Sequence, residues 1–216
     1  MGAVAPFFHM KTFKQFCESY IDPNIRKYLE RRGYKYLGKG VDQMAFLEPG
    51  TGYVLKVFGT SHDETNGNFT EEHHMFKVWV EYCERNKSNP MIPKIFGWEA
   101  FEYNDQKHLQ IRMEKLSPLD AKLGDGISEM AYYSNINSNP EAREKFYQDM
   151  MNQTHKHKNV SDLVTKVGKD RLELYWKTLR DLSKLRQQYN FGWDTKPDNF
   201  MKRSNGDIVL VDPFAL

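Results

Sequence analysis

The sequence is poor in the features that assign a chain to several common classes of protein. It contains two cysteines in 216 residues, Cys17 and Cys83. That is too few for a disulfide framework or a cysteine-based metal site, so a reducing environment is expected. No apolar run is long enough to cross a membrane, and the N-terminus lacks the basic stretch of a secretory signal. These absences predict a soluble, cytoplasmic protein.

An excess of charge of one sign is also missing. The 31 Lys and Arg residues nearly balance the 29 Asp and Glu residues, for a formal net charge of +2. This balance argues against a dedicated nucleic-acid binder, which usually presents a dense basic face. Hydrophobic residues make up 39% of the chain and aromatic residues 14%, which is enough apolar material for a folded core.

The first half of the chain has the patterns of short strands and of two helices. Residues 11–32 repeat apolar side chains at helical spacing on either side of an Asp-Pro break. A second helix should begin near Thr70, which can cap it. Turn signals separate five segments that are predicted to be strands, the first three of them an antiparallel meander: 34–37, 44–47, 53–58, 96–103 and 108–116.

The second half is predicted to be mostly helical and to end in a hairpin. Residues 117–166 are polar and weakly periodic, with helices expected near 141–152 and 159–166. Residues 169–189 carry leucines and aromatics at helical spacing. Two short strands, 200–202 and 208–211, flank Asn205-Gly206, which is a strong hairpin signal.

Four residues around this hairpin have the chemistry that phosphoryl transfer from ATP requires. The reaction needs cationic groups at the phosphates, oxygen ligands for Mg²⁺ and a carboxylate near the attacking hydroxyl. Asp194 can accept the hydroxyl proton, and Lys196 can stabilise the transferring phosphoryl group. Asn199 and Asp212, at either end of the hairpin, can bind Mg²⁺.

Asp194-Thr-Lys-Pro-Asp-Asn199 resembles the catalytic loop of Ser/Thr protein kinases, D-[LT]-K-P-[ED]-N. Asp212-Pro-Phe214 stands where that family has D-F-G. The likeness covers roughly Tyr34 to Phe214 and implies a two-lobed, α+β protein-kinase-like fold. The N-lobe would hold an antiparallel sheet and a helix C, and the reduced C-lobe would be mostly helical. A weaker likeness is to small kinases of tailed bacteriophages, which would place the protein in the host cytoplasm.

The resemblance assigns a second group of residues to nucleotide binding, with ATP and Mg²⁺ as cofactors. Leu37-Gly-Lys-Gly40 is similar to the glycine-rich loop over the phosphates. Lys56 would contact the α- and β-phosphates, with Glu72 on helix C as its partner and Glu71 as the alternative. The end of the fifth strand would be the hinge that binds adenine. The complete set is Gly38, Gly40, Lys56, Glu72, Met113, Glu114 and Leu116.

Several positions depart from the family pattern. Gln43 replaces the third glycine of the glycine-rich loop, Gly192-Trp193 replaces His-Arg, and Pro213 replaces the Phe of D-F-G. The activation segment and lower-lobe helices that would follow Asp212 are missing from the sequence. We expect a partner chain or the N-terminal helix to compensate. The expected domains are an N-terminal extension (1–33), an N-lobe (34–116) and a reduced C-lobe (117–216).

Three functions remain open from the sequence. The first is a kinase that transfers the γ-phosphate of ATP to a hydroxyl, most readily of Ser or Thr. The second is a small-molecule kinase of the aminoglycoside or choline kinase type. Those kinases usually lack the lysine inside the catalytic loop, so Lys196 favours the first function. The third is a nucleotide-binding pseudokinase, although such a scaffold has no need of the catalytic carboxylates. The substrate would carry a hydroxyl group, and neither a membrane nor a nucleic acid is expected as a partner.

Overall fold

A computed structural model describes residues 21–40, 43–59, 71–135, 139–154 and 158–215. The chain divides into two compact units, Met1–Thr70 with Phe96–Met113 and Glu71–Ile95 with Glu114–Leu216. The part of the predicted first helix that precedes Ile21, and the predicted cap Thr70, lie outside the described residues. Within the described ranges, no helix combines the length and the apolar character that a bilayer crossing requires.

The first unit contains a helix and a five-stranded sheet. Helix α1 spans Pro23–Arg31. The strands are β1 (Lys35–Lys39), β2 (Gln43–Leu47), β3 (Val54–Phe58), β4 (Ile95–Tyr103) and β5 (Gln106–Met113), in the order β1-β2-β3-β5-β4. Strands β1, β2, β3 and β5 pair antiparallel to one another. The α+β class and the meander of the first three strands are therefore confirmed.

One face of this sheet packs on α1. The Asp22 carboxylate accepts a hydrogen bond of 2.8 Å from the backbone N–H of Asn24 and so caps the helix. Proline at the first helical position costs no hydrogen bond, because that N–H has no partner within a helix. The core combines buried residues of the helix with alternate residues of the strands: Ile21, Ile25, Leu29, Met44, Phe46, Leu55 and Val57.

The second unit is mostly helical, as predicted. Its helices are α2 (Glu71–Arg85), α3 (Ala121–Ser134), α4 (Pro140–Met151), α5 (Lys158–Val167) and α6 (Lys169–Tyr189). Sequence periodicity predicts all of them except α3. That helix lies within the weakly periodic stretch, and two glycines interrupt its apolar pattern. Its buried face includes both glycines together with Ile127, Met130 and Ala131, so close helix packing replaces large side chains.

Five short strands complete the second unit: β6 (Ser117–Pro118), β7 (Gly192–Trp193), β8 (Phe200–Lys202), β9 (Ile208–Leu210) and β10 (Phe214–Ala215). Strands β8 and β9 form the predicted hairpin, and Gly206 in its turn has a φ of +87°, which glycine adopts without strain. The Tyr175 hydroxyl of α6 accepts a 2.9 Å hydrogen bond from the Ile208 N–H. This bond joins the hairpin to the central helix of the unit.

Two boundaries differ from those expected. Strand β5 ends at Met113, whereas the pattern predicted a strand that continues to Leu116. The chain turns away after Met113 because the Glu114 N–H donates to the carbonyl of Lys94 rather than to a sheet partner. Helix α2 belongs by its contacts to the second unit, although the resemblance assigns it to the N-lobe. The domain limits at 33 and 116 stay predictions.

Candidate active site

The segment 192–199, which carries Asp194, is bonded at its beginning to the C-terminal strand. Strand β7 pairs antiparallel with β10, with Trp193 opposite Phe214 and Gly192 opposite Ala215. The Asp194 N–H continues this ladder and donates a 2.9 Å hydrogen bond to the carbonyl of Pro213. Asp194 therefore lies beside the backbone that immediately follows Asp212.

The end of the segment is bonded to the same stretch of chain. The Val211 N–H donates to the Asn199 carbonyl at 2.9 Å, which extends the β8–β9 ladder by one pair. The Asn199 side chain is buried, and its Nδ2 donates to the Asp194 carbonyl at 2.7 Å. Together these bonds bring the backbone at Asp194 and Asn199 to the residues on either side of Asp212, at one end of the hairpin.

Lys196 contacts the first of these carboxylates. Its Nζ lies 2.9 Å from Asp194 Oδ2 in an ion pair whose side chains are 57% and 27% exposed. The hydrogen bond that Lys196 donates to Asp194 raises the pKa of Lys196, partial desolvation opposes that shift, and the charges of Asp194, Asp212 and Asp198 raise the pKa further. Lys196 is therefore held as a cation at neutral pH.

The donor set fits Mg²⁺. Because Asn199 Nδ2 is engaged with a carbonyl, Oδ1 is the end of that side chain available to a cation. Among the described residues, no three His, Cys, Asp or Glu side chains form a metal-binding group. Mg²⁺ does not require such a cage, since it usually takes one or two carboxylates and completes its octahedron with phosphate oxygens and water. Asp212 can offer a carboxylate to Mg²⁺, and Asn199 can offer its amide oxygen.

Helix α3, which the sequence patterns miss, contacts segment 192–199 and supports it. The Ser128 hydroxyl donates a 2.6 Å hydrogen bond to the carbonyl of Thr195. At Gly124, an added Cβ would lie 3.1 Å from Pro197 Cβ, so the helix backbone approaches the segment closely. No sequence signal identifies this support, because glycine inside an apolar pattern argues against a helix and the packing partner of Gly124 is distant in sequence.

Glycine at position 192 has a structural reason. A Cβ on this residue would lie 2.7 Å from the Ala215 carbonyl oxygen, closer than side chains approach backbone. The β7–β10 pairing therefore requires glycine where the family it resembles has histidine. The departure at this position follows from the pairing that orients Asp194.

The glycines and the lysine assigned to phosphate binding lie in the first unit. Gly38 is in β1 with open space around it, whereas a Cβ at Gly40 would lie 3.2 Å from Gln43 Cγ. The Gly40 N–H donates to the Gln43 carbonyl at 2.8 Å. Lys56 lies mid-strand in β3, half-buried, opposite Ala45 and Ile111 and on the face away from Leu55 and Val57. Its nucleotide contact stays a prediction.

Of the remaining residues of that set, Met113 belongs to the first unit, and Glu72, Glu114 and Leu116 belong to the second. The Glu72 side chain lies outside the described residues, so its pairing stays a prediction. Met113 ends β5 and is buried, and Leu116 is buried in the second unit. The Glu114 carboxylate is held by Arg203, with contacts of 2.5 and 2.9 Å, and accepts from the Lys94 N–H at 2.8 Å.

Arg203 is a second residue that the sequence patterns miss. Besides Glu114, its guanidinium donates to the carbonyls of Pro90 and Ile92. It therefore joins the hairpin turn to the stretch after α2 and to the predicted hinge. No sequence signal identifies it, since arginine in a hairpin turn is usually a solvated residue.

Comparison with known proteins assigns this chain to no family. No protein-family model matches the sequence, and no curated protein matches it significantly. Among solved structures, the crystal structure of a kinase domain is similar over 77% of this chain, with 15% identity and a TM-score of 0.35. The chain spans 38% of the length of that kinase-domain chain. Among the described residues, the order of elements is that of an α+β chain: a mostly antiparallel sheet, then helices, a loop, a hairpin and Asp212.

Proposed function

We propose that this protein is an ATP-dependent phosphotransferase that transfers the γ-phosphate to a hydroxyl group, with Ser or Thr as the favoured acceptor. The observation that supports the proposal most is the backbone bonding of both ends of segment 192–199 to residues 211–215. This bonding gathers a candidate base, a cation and two oxygen ligands at one end of the hairpin.

Each of the four side chains has a distinct role in the proposal. Asp194 orients the acceptor hydroxyl and accepts its proton through the carboxylate, one oxygen of which is held by Lys196. Lys196, as a cation, stabilises the charge of the transferring phosphoryl group. Asn199 and Asp212 hold Mg²⁺, which neutralises phosphate charge when ATP is bound.

The test is transfer of labelled γ-phosphate from Mg²⁺-ATP to a mixture of cellular proteins and to a pool of small metabolites. Asp212→Ala should lower transfer by at least about a hundredfold, the usual cost of losing a group that stabilises transition-state charge. Asp194→Asn should lower it comparably. Asp198→Asn is the matched control, because Asp198 is an exposed acid of the same segment and its charge is the smallest of those that raise the pKa of Lys196.

Each outcome assigns a function. Label that enters protein, and is lost in both variants but not in the control, supports a protein kinase. Label that enters only metabolites identifies a small-molecule kinase. Equal transfer by wild type and Asp212→Ala would contradict the proposed site. A folded sample that transfers nothing would instead indicate a pseudokinase or a kinase that needs a partner chain.

A further inference from the structure

The second unit contains an open cleft that shares no residue with the candidate active site. Its volume is about 750 Å³, within the range of ligand-binding clefts. The start of α3, the end of α5, the start of α6 and the turn of the β8–β9 hairpin all contribute to its wall. Neither segment 192–199 nor Asp212 lines it. The phosphotransferase proposal therefore leaves the cleft without a role.

The side chains of this cleft are predominantly basic. Five cationic residues line it, against two acidic ones, Asp120 and Asp162. Asp120 is engaged as the cap of α3, where it accepts from the Lys122 N–H at 3.0 Å. The cationic residues are Lys122, Lys166, Arg171, Lys202 and Arg203.

The two arginines have carboxylate partners outside the lining. Arg203 is bound to Glu114, and Arg171 Nη2 lies 3.1 Å from Asp207 Oδ1 in an ion pair without hydrogen-bond geometry. The three lysines, in contrast, have no ion-pair partner within the part of the chain that the structure describes. All three are exposed, and each comes from a different element: α3, α5 and β8.

The floor of the cleft is apolar. Leu119, Leu123 and Val167 are half-buried in it, beside the buried Ile208. A small inorganic anion would neutralise the lysines but would leave these side chains in contact with water. An occupant that matches both features carries several negative charges spaced along a chain together with apolar groups between them.

From this combination we propose that the cleft binds a short acidic peptide segment, with apolar side chains on the floor and carboxylates at Lys122, Lys166 and Lys202. Positive potential at such a site also accelerates the encounter with an acidic partner. The interaction does not depend on phosphoryl transfer. It is therefore measured without ATP, and failure of the docking site leaves the phosphotransferase proposal unaffected.

The experiment is fluorescence anisotropy with a short labelled peptide that alternates glutamate and leucine. Wild-type protein should bind it, and should bind the same peptide with lysine in place of glutamate much more weakly. The double variant Lys166→Glu with Lys202→Glu should weaken binding roughly tenfold or more. Leu119→Ala should weaken binding less, and the loss should persist at high salt, because salt screens the charges and not the apolar contact.

The matched control is Lys158→Glu with Lys177→Glu. It reverses the charge of two exposed lysines, one in α5 and one in α6, that do not line the cleft. This control changes the net charge by the same amount as the cleft variant and should bind the acidic peptide as tightly as wild type does. Circular dichroism checks that each variant is folded. If the double charge reversal at Lys166 and Lys202 unfolds the protein, Lys166→Gln with Lys202→Gln takes its place. The proposal is overturned if the acidic peptide does not bind, if the control loses as much affinity, or if inorganic phosphate or an oligonucleotide displaces the peptide at equal charge concentration.

Discussion

The sheet of the first unit and segment 192–199 of the second are held by different forces. In the sheet, large apolar side chains such as Phe46 and Val57 are fully buried, and burial of apolar area dominates stability. The segment is held by backbone hydrogen bonds to residues 211–215 and by close contacts at glycines. Apolar burial depends on volume, whereas contacts at glycine depend on the absence of a side chain. Substitutions should therefore affect the two regions differently.

The largest effect on stability is expected from truncation of the sheet core. Phe46→Ala should lower the free energy of unfolding by about 3–5 kcal/mol, because the transfer free energy of the ring is lost and a cavity remains. Urea denaturation measures this. Leu37→Ala is the control, since Leu37 is 47% exposed and should change stability by no more than about 0.5 kcal/mol. Similar losses in the two variants would contradict the assigned core.

A smaller loss of stability, with a larger loss of activity, is expected at the glycine that pairs with Ala215. Gly192→Ala places a Cβ 2.7 Å from a carbonyl oxygen and should cost about 1–3 kcal/mol, as overpacking does. The rate of phosphate transfer should fall even under conditions in which the variant is fully folded, because the β7–β10 pairing positions Asp194. Gly97→Ala is the control, because a Cβ there meets nothing within 4 Å. Unchanged transfer by a folded Gly192→Ala variant would show that this pairing does not orient the site.

The hydroxyl of Ser128 allows a finer test of the support from α3. Ser128→Ala removes the bond to the Thr195 carbonyl and should cost about 1 kcal/mol. Amide hydrogen exchange at Asn199, whose N–H donates to the Lys196 carbonyl at 3.0 Å, should become faster, because the segment would open locally more often. Thr165→Ala serves for comparison, since that hydroxyl bonds to the Ser161 carbonyl of its own helix. Exchange at Asn199 that is equal in both variants would remove Ser128 from the supporting contacts.

The smallest effect concerns how the stability of the first unit depends on pH. His108 is fully buried, its Nδ1 lies 3.1 Å from the Phe58 carbonyl, and among the described residues its Nε2 has no hydrogen-bond partner. Burial lowers the pKa of His108, although the Phe58 carbonyl and the charge of Asp22 partly oppose the shift.

Because the folded pKa lies below the unfolded value of about 6.5, the unfolded chain takes up the proton first as the solution is acidified. The contribution of His108 to stability is therefore complete above that pH and is lost as the pH falls through the folded pKa. The free energy of unfolding, measured by urea denaturation, should therefore decrease from pH 7.5 to pH 5. His108→Leu should flatten the curve, and an unchanged slope would assign the acid sensitivity to other groups.

Where local patterns carry the information, the sequence predicts the structure closely. The strands of the meander and the hairpin at Asn205-Gly206 follow from alternation and turn chemistry, which act over a few residues. Helix α3 was missed because its buried face uses Gly124 and Gly126, whose packing partners lie on the 192–199 segment and on α5. Arg203 and Ser128 were missed because their partners are distant in sequence.

By itself, the sequence determined the residue types of the candidate site and their spacing along the chain. Asp194, Lys196 and Asn199 lie within six residues of one another, and Asp212 follows the hairpin. The tertiary structure decided how these residues meet: through the β7–β10 pairing, the Val211–Asn199 bond and the support from α3. The tertiary structure also decided which charges line the cleft of the second unit. The physical reason is that backbone pairing and close approach at glycine depend on distant partners, which local periodicity does not encode.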